Sequence, residues 1–315
     1  MIVRNGAGLA LIARMFLLRN VLAIALILLI EIVISEIHMM SPGVHTTVFS
    51  ASAVAMLATV VGIFLVFSFN HTYQRWWEAR ILWGQLVNTS RNFGRQVVSL
   101  LQAERLTGEL SELELGALRR RLVYRQIAFV NALRLRLRQE EDLDCLTTLL
   151  SEEDFSQVMA AQNRPQAILQ QQVDDLLEQL GPETAQTVLL GFFDQSLNLL
   201  TDVQGGCERI KNTAFPPVVR TMSTVFVWGL AALIPAVFLE PDQAIYPVEF
   251  VAVLFICMSF IVVKQLGQTL ADPFEGQPSD TPMTALCRTI ERDLREQLGE
   301  SELPPAIEPH RGVLM

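Results

Sequence analysis

The sequence predicts an all-α integral membrane protein with four transmembrane helices per chain and a helical domain outside the membrane. Hydrophobic residues make up 51% of the 315 residues and charged residues only 18%, and the mean hydropathy is +0.35. The charges concentrate between about residues 73 and 212 and after residue 264. This division is typical of a membrane protein with a polar domain rather than of one globular domain.

Four apolar segments account for the four predicted spans, since about twenty apolar residues cross a bilayer as a helix. The first carries one charge, Glu31, which is expected either to pair with a neighbouring helix or to serve as a relay. The third contains Pro235, which is expected to interrupt it. The segments run from about 21 to 35, 47 to 70, 221 to 239 and 248 to 263.

The basic residues predict the orientation of the chain. The loops at residues 36–45 and 240–247 contain no Lys or Arg, so all 24 basic residues lie elsewhere. By the positive-inside rule both termini and the middle region are cytoplasmic. The predicted divisions are a cytosolic flank (1–20), spans one and two (21–70), a cytosolic helical domain (71–217), spans three and four (218–264) and a cytosolic C-terminal helix and tail (265–315).

The second span carries two distinct faces. Thr59, Ile63 and Phe67 are spaced four apart on one of them. The other carries only small residues, namely Ala51, Ala55, Ala58 and Gly62. Small residues allow helices in lipid to approach closely. The pattern suits a pore-lining helix in a ring of identical helices, whose small face packs against the neighbour; alternatively, Ile63 and Phe67 simply face lipid.

A polar and aromatic cluster follows the second span. Arg75, Trp76, Trp77 and Arg80 are the residue types found where a spanning helix leaves the membrane. No Pro or Gly lies between Arg75 and Trp83, so the helix is expected to continue into water. The cluster either orients the junction between a membrane path and a cytosolic domain or only anchors the helix at the interface.

Several classes of function find no support in the sequence. No nucleophile elbow, phosphate loop, zinc motif or dinucleotide fingerprint is present, so no enzyme chemistry and no cofactor are predicted. The four cysteines and four histidines lack metal-ligand spacing. No basic stripe indicates nucleic acid as a partner.

Three groups of residues extend from the end of the second span to the tail helix. The first is Tyr73-Gln74-Arg75-Trp76-Trp77-Glu78-Ala79-Arg80 with Trp83-Gly84-Gln85-Leu86-Val87-Asn88. The second is Gly206-Cys207-Glu208-Arg209-Ile210-Lys211-Asn212-Thr213 with Pro216, and the third is Asp272-Pro273-Phe274 with Cys287-Arg288-Thr289-Ile290-Glu291. In these residues and in their order the chain resembles the bestrophin family in its bacterial branch.

The resemblance implies a homopentameric ion channel of the bacterial inner membrane, with one pore along the five-fold axis. Span two would line a hydrophobic neck, and the family's neck positions fall on Thr59, Ile63 and Phe67. The cytosolic helices would form a vestibule that ends in a second narrowing, which falls on Val188 when counted back from Pro216. The implied partners are further copies of the chain, the lipid bilayer and small monovalent ions.

Two departures from the family pattern carry expectations of their own. Thr59 stands where an apolar neck residue is usual, and its hydroxyl is expected to make the outer end of the neck easier to wet. The acidic run that follows the Pro-Phe turn in eukaryotic members is missing, since the stretch from Glu275 to Asp280 contains only these two acids. Calcium is therefore expected neither to bind tightly nor to gate the channel.

Three functions remain open from the sequence. The first is a passive channel that favours cations, because the net charge is −9 and the outer loops offer only acids. The second is an anion channel of the same architecture, like the eukaryotic family members. The third is a membrane-anchored scaffold or sensor that conducts no ions.

Overall fold

The computed structural model describes residues 7–40, 50–102, 111–180, 184–238, 247–309 and 313–314. Ten α-helices account for most of these residues. They are α1 (Ala7–Met40), α2 (Ala51–Leu100), α3 (Glu112–Arg138), α4 (Asp144–Thr147), α5 (Glu152–Ala160), α6 (Arg164–Leu180), α7 (Thr184–Asn212), α8 (Pro217–Phe238), α9 (Pro247–Leu270) and α10 (Met283–Gln297). The all-helical prediction is confirmed for this part of the chain.

Four of these helices are long and apolar enough to cross a membrane: α1 between Leu18 and Ile37, α2, α8 and α9. They correspond to the four predicted spans, but two details differ. Helix α1 begins at Ala7, so much of the predicted flank is helical. Pro235 lies inside α8 and does not interrupt it, as neighbouring helices allow in membrane proteins. Helix α9 extends past its apolar segment to Leu270.

The predicted outer loops at residues 36–45 and 240–247 fall largely outside the described residues, as does the start of the second span at residues 47–49. The expected orientation therefore rests on the distribution of basic residues in the sequence.

The chain divides into two compact units. The membrane unit comprises α1, α2 as far as Trp76, and Ala214–Asp272. The polar unit comprises Trp77–Thr213 and the chain from Pro273 onward. The changes from one unit to the other, after Trp76, Thr213 and Asp272, lie four to eight residues from the divisions predicted at 70, 217 and 264.

The membrane unit has a small core. Helix α8 packs against α9, and α1 packs against both. The buried apolar residues are Ile27, Val54, Val61, Leu65, Val227, Leu230, Ala231, Ile234, Val253, Cys257 and Ile261. Helix α2 joins this core through Val54, Val61 and Leu65, and the ring of Phe64 meets that of Phe226 edge to face at 5.6 Å.

The polar unit has a much larger core, built around α3. Helix α3 packs against α6, α7 and α10, and α6 also packs against α7. The aromatic side chains of Trp83, Phe93, Phe129 and Phe193 are fully buried. Ser111 caps α3 in a reciprocal arrangement in which its hydroxyl accepts from the Glu114 backbone N–H and the Glu114 carboxylate accepts from the Ser111 backbone.

One ion-pair cluster is buried inside the polar unit. Arg125 on α3 contacts Asp154 at 2.6 Å and Asp175 at 2.5 Å, and its side chain is 6% exposed. Burial alone would raise the pKa of Asp154, but its hydrogen bonds with Arg125 hold the pKa below its ordinary value. The cluster ties α3 to α5 and α6.

Helix α7 runs without a break through Gly205 and Gly206. A Cβ at Gly206 would lie 3.0 Å from both methyl groups of Leu82 on α2. Two adjacent glycines allow either a break in a helix or close packing against it. In this chain they allow close packing of α7 against α2.

Candidate ion pathway

The predicted neck residues lie on one exposed face of α2 in the membrane unit. Ile63 is 53% exposed and Phe67 is 62% exposed, and Thr59 is exposed one turn before them. Large apolar side chains that the single chain leaves uncovered must meet lipid, another chain or a lumen. The face carries no charge between Ala51 and Asn70.

The hydroxyl of Thr59 is engaged with its own helix. It donates a hydrogen bond to the carbonyl oxygen of Ala55 at 2.9 Å. The exposed face therefore receives the hydroxyl oxygen as an acceptor, together with the methyl group, rather than a free O–H donor. An acceptor at this position can still hold water, so the expected wetting of the outer end of the neck stays a prediction.

The small-residue face of α2 differs along its length in what it contacts. The Gly62 position faces Phe260 of α9 in the same chain, where an added Cβ would lie 3.9 Å from the ring. Ala51 and Ala55 remain exposed. This face therefore already meets α9 of the same chain at Gly62, and the expectation that it meets a neighbouring chain stays a prediction.

Helix α7 of the polar unit carries the predicted second narrowing. Its apolar residues separate into two sets, of which Leu189, Phe193, Leu197 and Leu200 are buried in the core. Val188 is 57% exposed and Phe192 is 48% exposed. Val188 and Phe192 are four residues apart and share a face, so the exposed apolar surface is wider than the single residue that the sequence indicated.

The first residues of the interfacial cluster have structural partners within the membrane unit. The Arg75 guanidinium donates to the carbonyl oxygen of Ala271 at 2.9 Å and lies 3.9 Å from the Asp272 carboxylate. Arg75 thus joins α2 to the end of α9. The rings of Tyr73 and Trp76 stack at 5.9 Å, and Tyr73 stacks on Phe69 at 6.4 Å.

The other two residues of the cluster belong to the polar unit. Trp77 is 49% exposed. Arg80 is half-buried and extends along the helix, with a terminal nitrogen 3.5 Å from the position that a Cβ at Gly84 would take. Helix α2 continues through this cluster to Leu100, as the absence of Pro and Gly predicted.

The three groups of residues that carry the family resemblance meet through ion pairs in the polar unit. Arg209 of the second group pairs with Glu78 of the first. Lys211 pairs with Glu275, which follows the Asp-Pro-Phe turn, at 2.5 Å. The opposite charges of these segments were the only signal in the sequence that could have indicated these pairs. These residues therefore hold the helices together and need not contact an ion.

Glu31 is a buried carboxylic acid in the membrane unit. Its side chain is fully buried on α1, and neither carboxylate oxygen has a hydrogen-bond partner among the described residues. The expected pairing with a neighbouring helix is therefore not made within the described part of the chain. Burial of a polar group without a partner costs free energy, so Glu31 is a candidate functional residue as well as a structural one.

The residues after the Pro-Phe turn are engaged with the protein itself. Glu275 pairs with Lys211, and the buried Asp280 carboxylate accepts from the backbone N–H of Gln277 at 2.9 Å. Within the described ranges no three His, Cys, Asp or Glu side chains gather as metal ligands would. The expected lack of calcium gating stays a prediction.

The family assignment follows from the whole length of these helices. The bacterial and fungal bestrophin family matches residues 7–296. The chain belongs to the bestrophin family. Bestrophins are ion channels and not enzymes, so the predicted resemblance and the absence of enzyme chemistry are confirmed.

Similar proteins and structures agree with this assignment. The voltage-dependent anion channel-forming protein YneE of Escherichia coli K12 is 31% identical over 263 residues, which cover 84% of this chain and 82% of the relative. A protein of the same description from Ralstonia nicotianae is 29% identical over 284 residues, 88% of this chain and 87% of the relative. The crystal structure of a bacterial bestrophin homologue from Klebsiella pneumoniae is 27% identical with a TM-score of 0.74, covering 89% of this chain and 100% of the homologue.

Proposed function

We propose that this bestrophin is a passive, homopentameric channel for small monovalent ions, with α2 of each chain lining a central pore. The observation that carries the proposal is the exposed face of Thr59, Ile63 and Phe67 on α2, whose apolar side chains the single chain leaves uncovered. Rings of these residues would form a hydrophobic neck. Such constrictions control conduction by excluding water until they widen.

The polar unit would form a vestibule that continues the ion path. Val188 on α7 is its candidate narrowing, and its exposure together with that of Phe192 supports a second apolar ring. The proposed location is the bacterial inner membrane, with both termini in the cytoplasm, because every Lys and Arg lies outside the predicted outer loops.

The charge of the chain favours cations as the permeant ions. The net charge is −9, and the neck face has no fixed charge that would select for anions. A negative protein raises the local concentration of cations at the mouths of a pore. The proposed channel opens without calcium, because both acids after the Pro-Phe turn are already engaged by the protein.

A second candidate is an anion channel of the same architecture. The observation that favours it is the description of the relatives in Escherichia coli and Ralstonia nicotianae as anion channel-forming proteins. An uncharged neck is compatible with either sign of ion, so the neck residues do not decide between the two candidates.

Reversal potentials in planar bilayers under a KCl gradient test both candidates. Purified wild-type protein is expected to conduct, with a reversal potential shifted toward that of potassium; a shift toward that of chloride would establish the anion channel. Phe67→Ala removes a ring from the proposed neck and is expected to raise the single-channel conductance severalfold.

Phe255→Ala is the matched control. Phe255 on α9 is also an exposed phenylalanine, at 73%, but lies outside the proposed neck, so its conductance should match the wild type. Equal effects of the two substitutions would remove Phe67 from the pathway. If wild type and Phe67→Ala both fail to conduct, with and without calcium, the chain would instead be a membrane-anchored scaffold or sensor.

A further inference from the structure

A ladder of aromatic rings marks the level at which α2 leaves the membrane. Phe69 stacks on Tyr73 at 6.4 Å, and Tyr73 stacks on Trp76 at 5.9 Å. Tyr and Trp concentrate where the hydrocarbon core gives way to the lipid headgroups. Side chains beside this ladder in the membrane unit therefore lie at headgroup depth.

A small pocket opens at this level between α2, α8 and α9. Its polar side chains are Ser68, Thr72, Arg220, Ser223, Lys264 and Gln268. Leu65, Phe69 and Thr72 line it from the side of α2 that is opposite to the proposed neck, because a helix turns about 100° per residue. The pocket is therefore separate from the ion pathway proposed above.

Positive charge exceeds negative charge around the pocket. Asp272 is shared by two guanidinium groups, since Arg75 lies 3.9 Å and Arg220 lies 3.8 Å from its carboxylate. Lys264 is half-buried and forms no ion pair within the described residues. Two guanidinium groups thus share one carboxylate, and Lys264 adds a further positive charge at the pocket, which leaves an excess of positive charge for an anion.

The strongest donors available to an anion are the two cationic side chains that line the pocket. The hydroxyl of Ser223 donates to the carbonyl oxygen of Val219 at 2.7 Å, and that of Thr72 donates to Phe69 at 2.9 Å. These hydroxyls are occupied by their own helices. The Lys264 ammonium and the Arg220 guanidinium are charged donors, and charge-assisted hydrogen bonds to phosphate are strong.

The N-terminal end of α8 adds to the positive charge around the pocket. The 22-residue helix begins at Pro217 and places Arg220 in its first turn. The positive end of the helix dipole lies at this start and favours phosphate groups, although the N–H groups of Val219 and Arg220 already donate to the carbonyl oxygen of Pro216. The pocket thus combines a helix start, two cationic side chains and a position at headgroup depth.

We propose that this pocket binds the phosphate of an anionic phospholipid from the leaflet on the same side as the start of α8. Basic pockets between transmembrane helices are suited to such headgroups. Val263 and Leu266 on α9 are exposed beside the pocket and offer apolar surface for the acyl chains. The proposal requires that these helices span a membrane, but it does not require that the channel conducts.

Thermal unfolding of the full-length protein in detergent tests the proposal. Phosphatidylglycerol is titrated against phosphatidylcholine, and bound lipid is counted by native mass spectrometry. Wild type is expected to be stabilised by phosphatidylglycerol and much less by phosphatidylcholine. The double variant Lys264→Gln and Arg220→Gln should bind phosphatidylglycerol with affinity lower by on the order of tenfold, because each basic residue contributes to attraction for anionic lipid.

Two variants serve as controls. Arg95→Gln removes one positive charge from an exposed position of the polar unit and should bind phosphatidylglycerol like the wild type. Lys264→Arg keeps the charge and should retain binding of phosphatidylglycerol. Its affinity can be measured even if the double variant does not fold. The site is overturned if the double variant binds as tightly as the wild type, or if Arg95→Gln and Lys264→Arg lose as much affinity as the double variant.

A titration with inorganic phosphate in place of the lipid distinguishes a lipid headgroup from a free phosphate ion as the bound group. Since the apolar surface beside the pocket is part of the proposed site, inorganic phosphate alone is expected to give no stabilisation. A shift equal to that with phosphatidylglycerol would indicate a site for a soluble anion and would overturn the lipid proposal. Because binding is measured without ion flux, its failure is distinguishable from a failure of the channel proposal.

Discussion

The two compact units of this chain differ in how far they bury their apolar side chains. In the polar unit the large apolar side chains gather in one core that holds Trp83, Phe93, Phe129 and Phe193. In the membrane unit the core is small, and many large apolar side chains on α1, α8 and α9 are exposed, including Phe255 at 73% and Leu22 at 84%. Exposure of this extent is stable only when lipid or another chain covers it.

Charged groups show the same contrast. The polar unit contains a network of ion pairs that includes the buried cluster around Arg125. In the described part of the membrane unit the ion pairs converge on Asp272, at the end of α9. The difference teaches that one helical chain is built for two solvents: charge can be buried in the polar unit by pairing, whereas the membrane unit keeps its paired charges at one end.

The buried cluster of the polar unit offers the largest expected effect. Arg125→Met would leave Asp154 and Asp175 without their common partner in a buried position. Breaking a buried ion pair by removing one partner costs about 3–5 kcal/mol. The unfolding temperature of the purified protein should therefore fall markedly, as measured by thermal scanning in detergent.

The control and the pH dependence sharpen this prediction. Arg95→Met makes the same change at an exposed position and should leave the unfolding temperature nearly unchanged. The pKa of Asp154 is lowered in the folded protein, so its stabilisation is present above the ordinary carboxyl range and is lost as the pH falls through the folded pKa. Wild type should thus lose stability on acidification more steeply than Arg125→Met, and equal slopes would contradict the assignment.

The exposed apolar surfaces give the next largest effect. Phe255→Arg places a charge near the middle of α9, where insertion into a bilayer costs about 3 kcal/mol. Leu113→Arg makes a comparable change at a leucine that is 85% exposed in the polar unit. The fraction of protein recovered in membranes after alkaline extraction should fall for Phe255→Arg and stay constant for Leu113→Arg. A similar loss for both would mean that the two exposed surfaces meet the same environment.

The close packing of the polar unit gives a smaller effect. A Cβ at Gly94 would lie 2.4 Å from a methyl group of the buried Leu294 and would meet the end of Gln297, so Gly94→Ala must displace both. Overpacking of this kind costs about 1–3 kcal/mol.

Gly116 supplies the comparison, since nothing lies within 4 Å of a Cβ added there. Gly116→Ala on the exposed side of α3 should stabilise the helix by about 1 kcal/mol. The two alanine substitutions are therefore expected to shift the unfolding temperature in opposite directions. A shift of the same sign would show that helix propensity, and not packing around Gly94, dominates at both positions.

Local sequence patterns predicted much of the helical fold and indicated some residues of the candidate ion pathway. The apolar segments indicated the four candidate membrane helices, and the uninterrupted run from Arg75 to Trp83 predicted that α2 continues. Spacing by four put Thr59, Ile63 and Phe67 on one face, which the structure leaves exposed. The effect of Pro235 was predicted wrongly, because neighbouring helices in a membrane accommodate a proline that would break an isolated helix.

The sequence by itself determined the helical class, the apolar segments and the family, because helix periodicity, hydropathy and short motifs are properties of neighbouring residues. Only the tertiary structure decided that Gly62 faces Phe260, that Lys211 pairs with Glu275, and that Glu31 is buried with no hydrogen-bond partner among the described residues. It alone brought Arg220 and Lys264 to one pocket. These contacts join residues far apart in the chain, and their geometry depends on how whole helices pack, which no local pattern records.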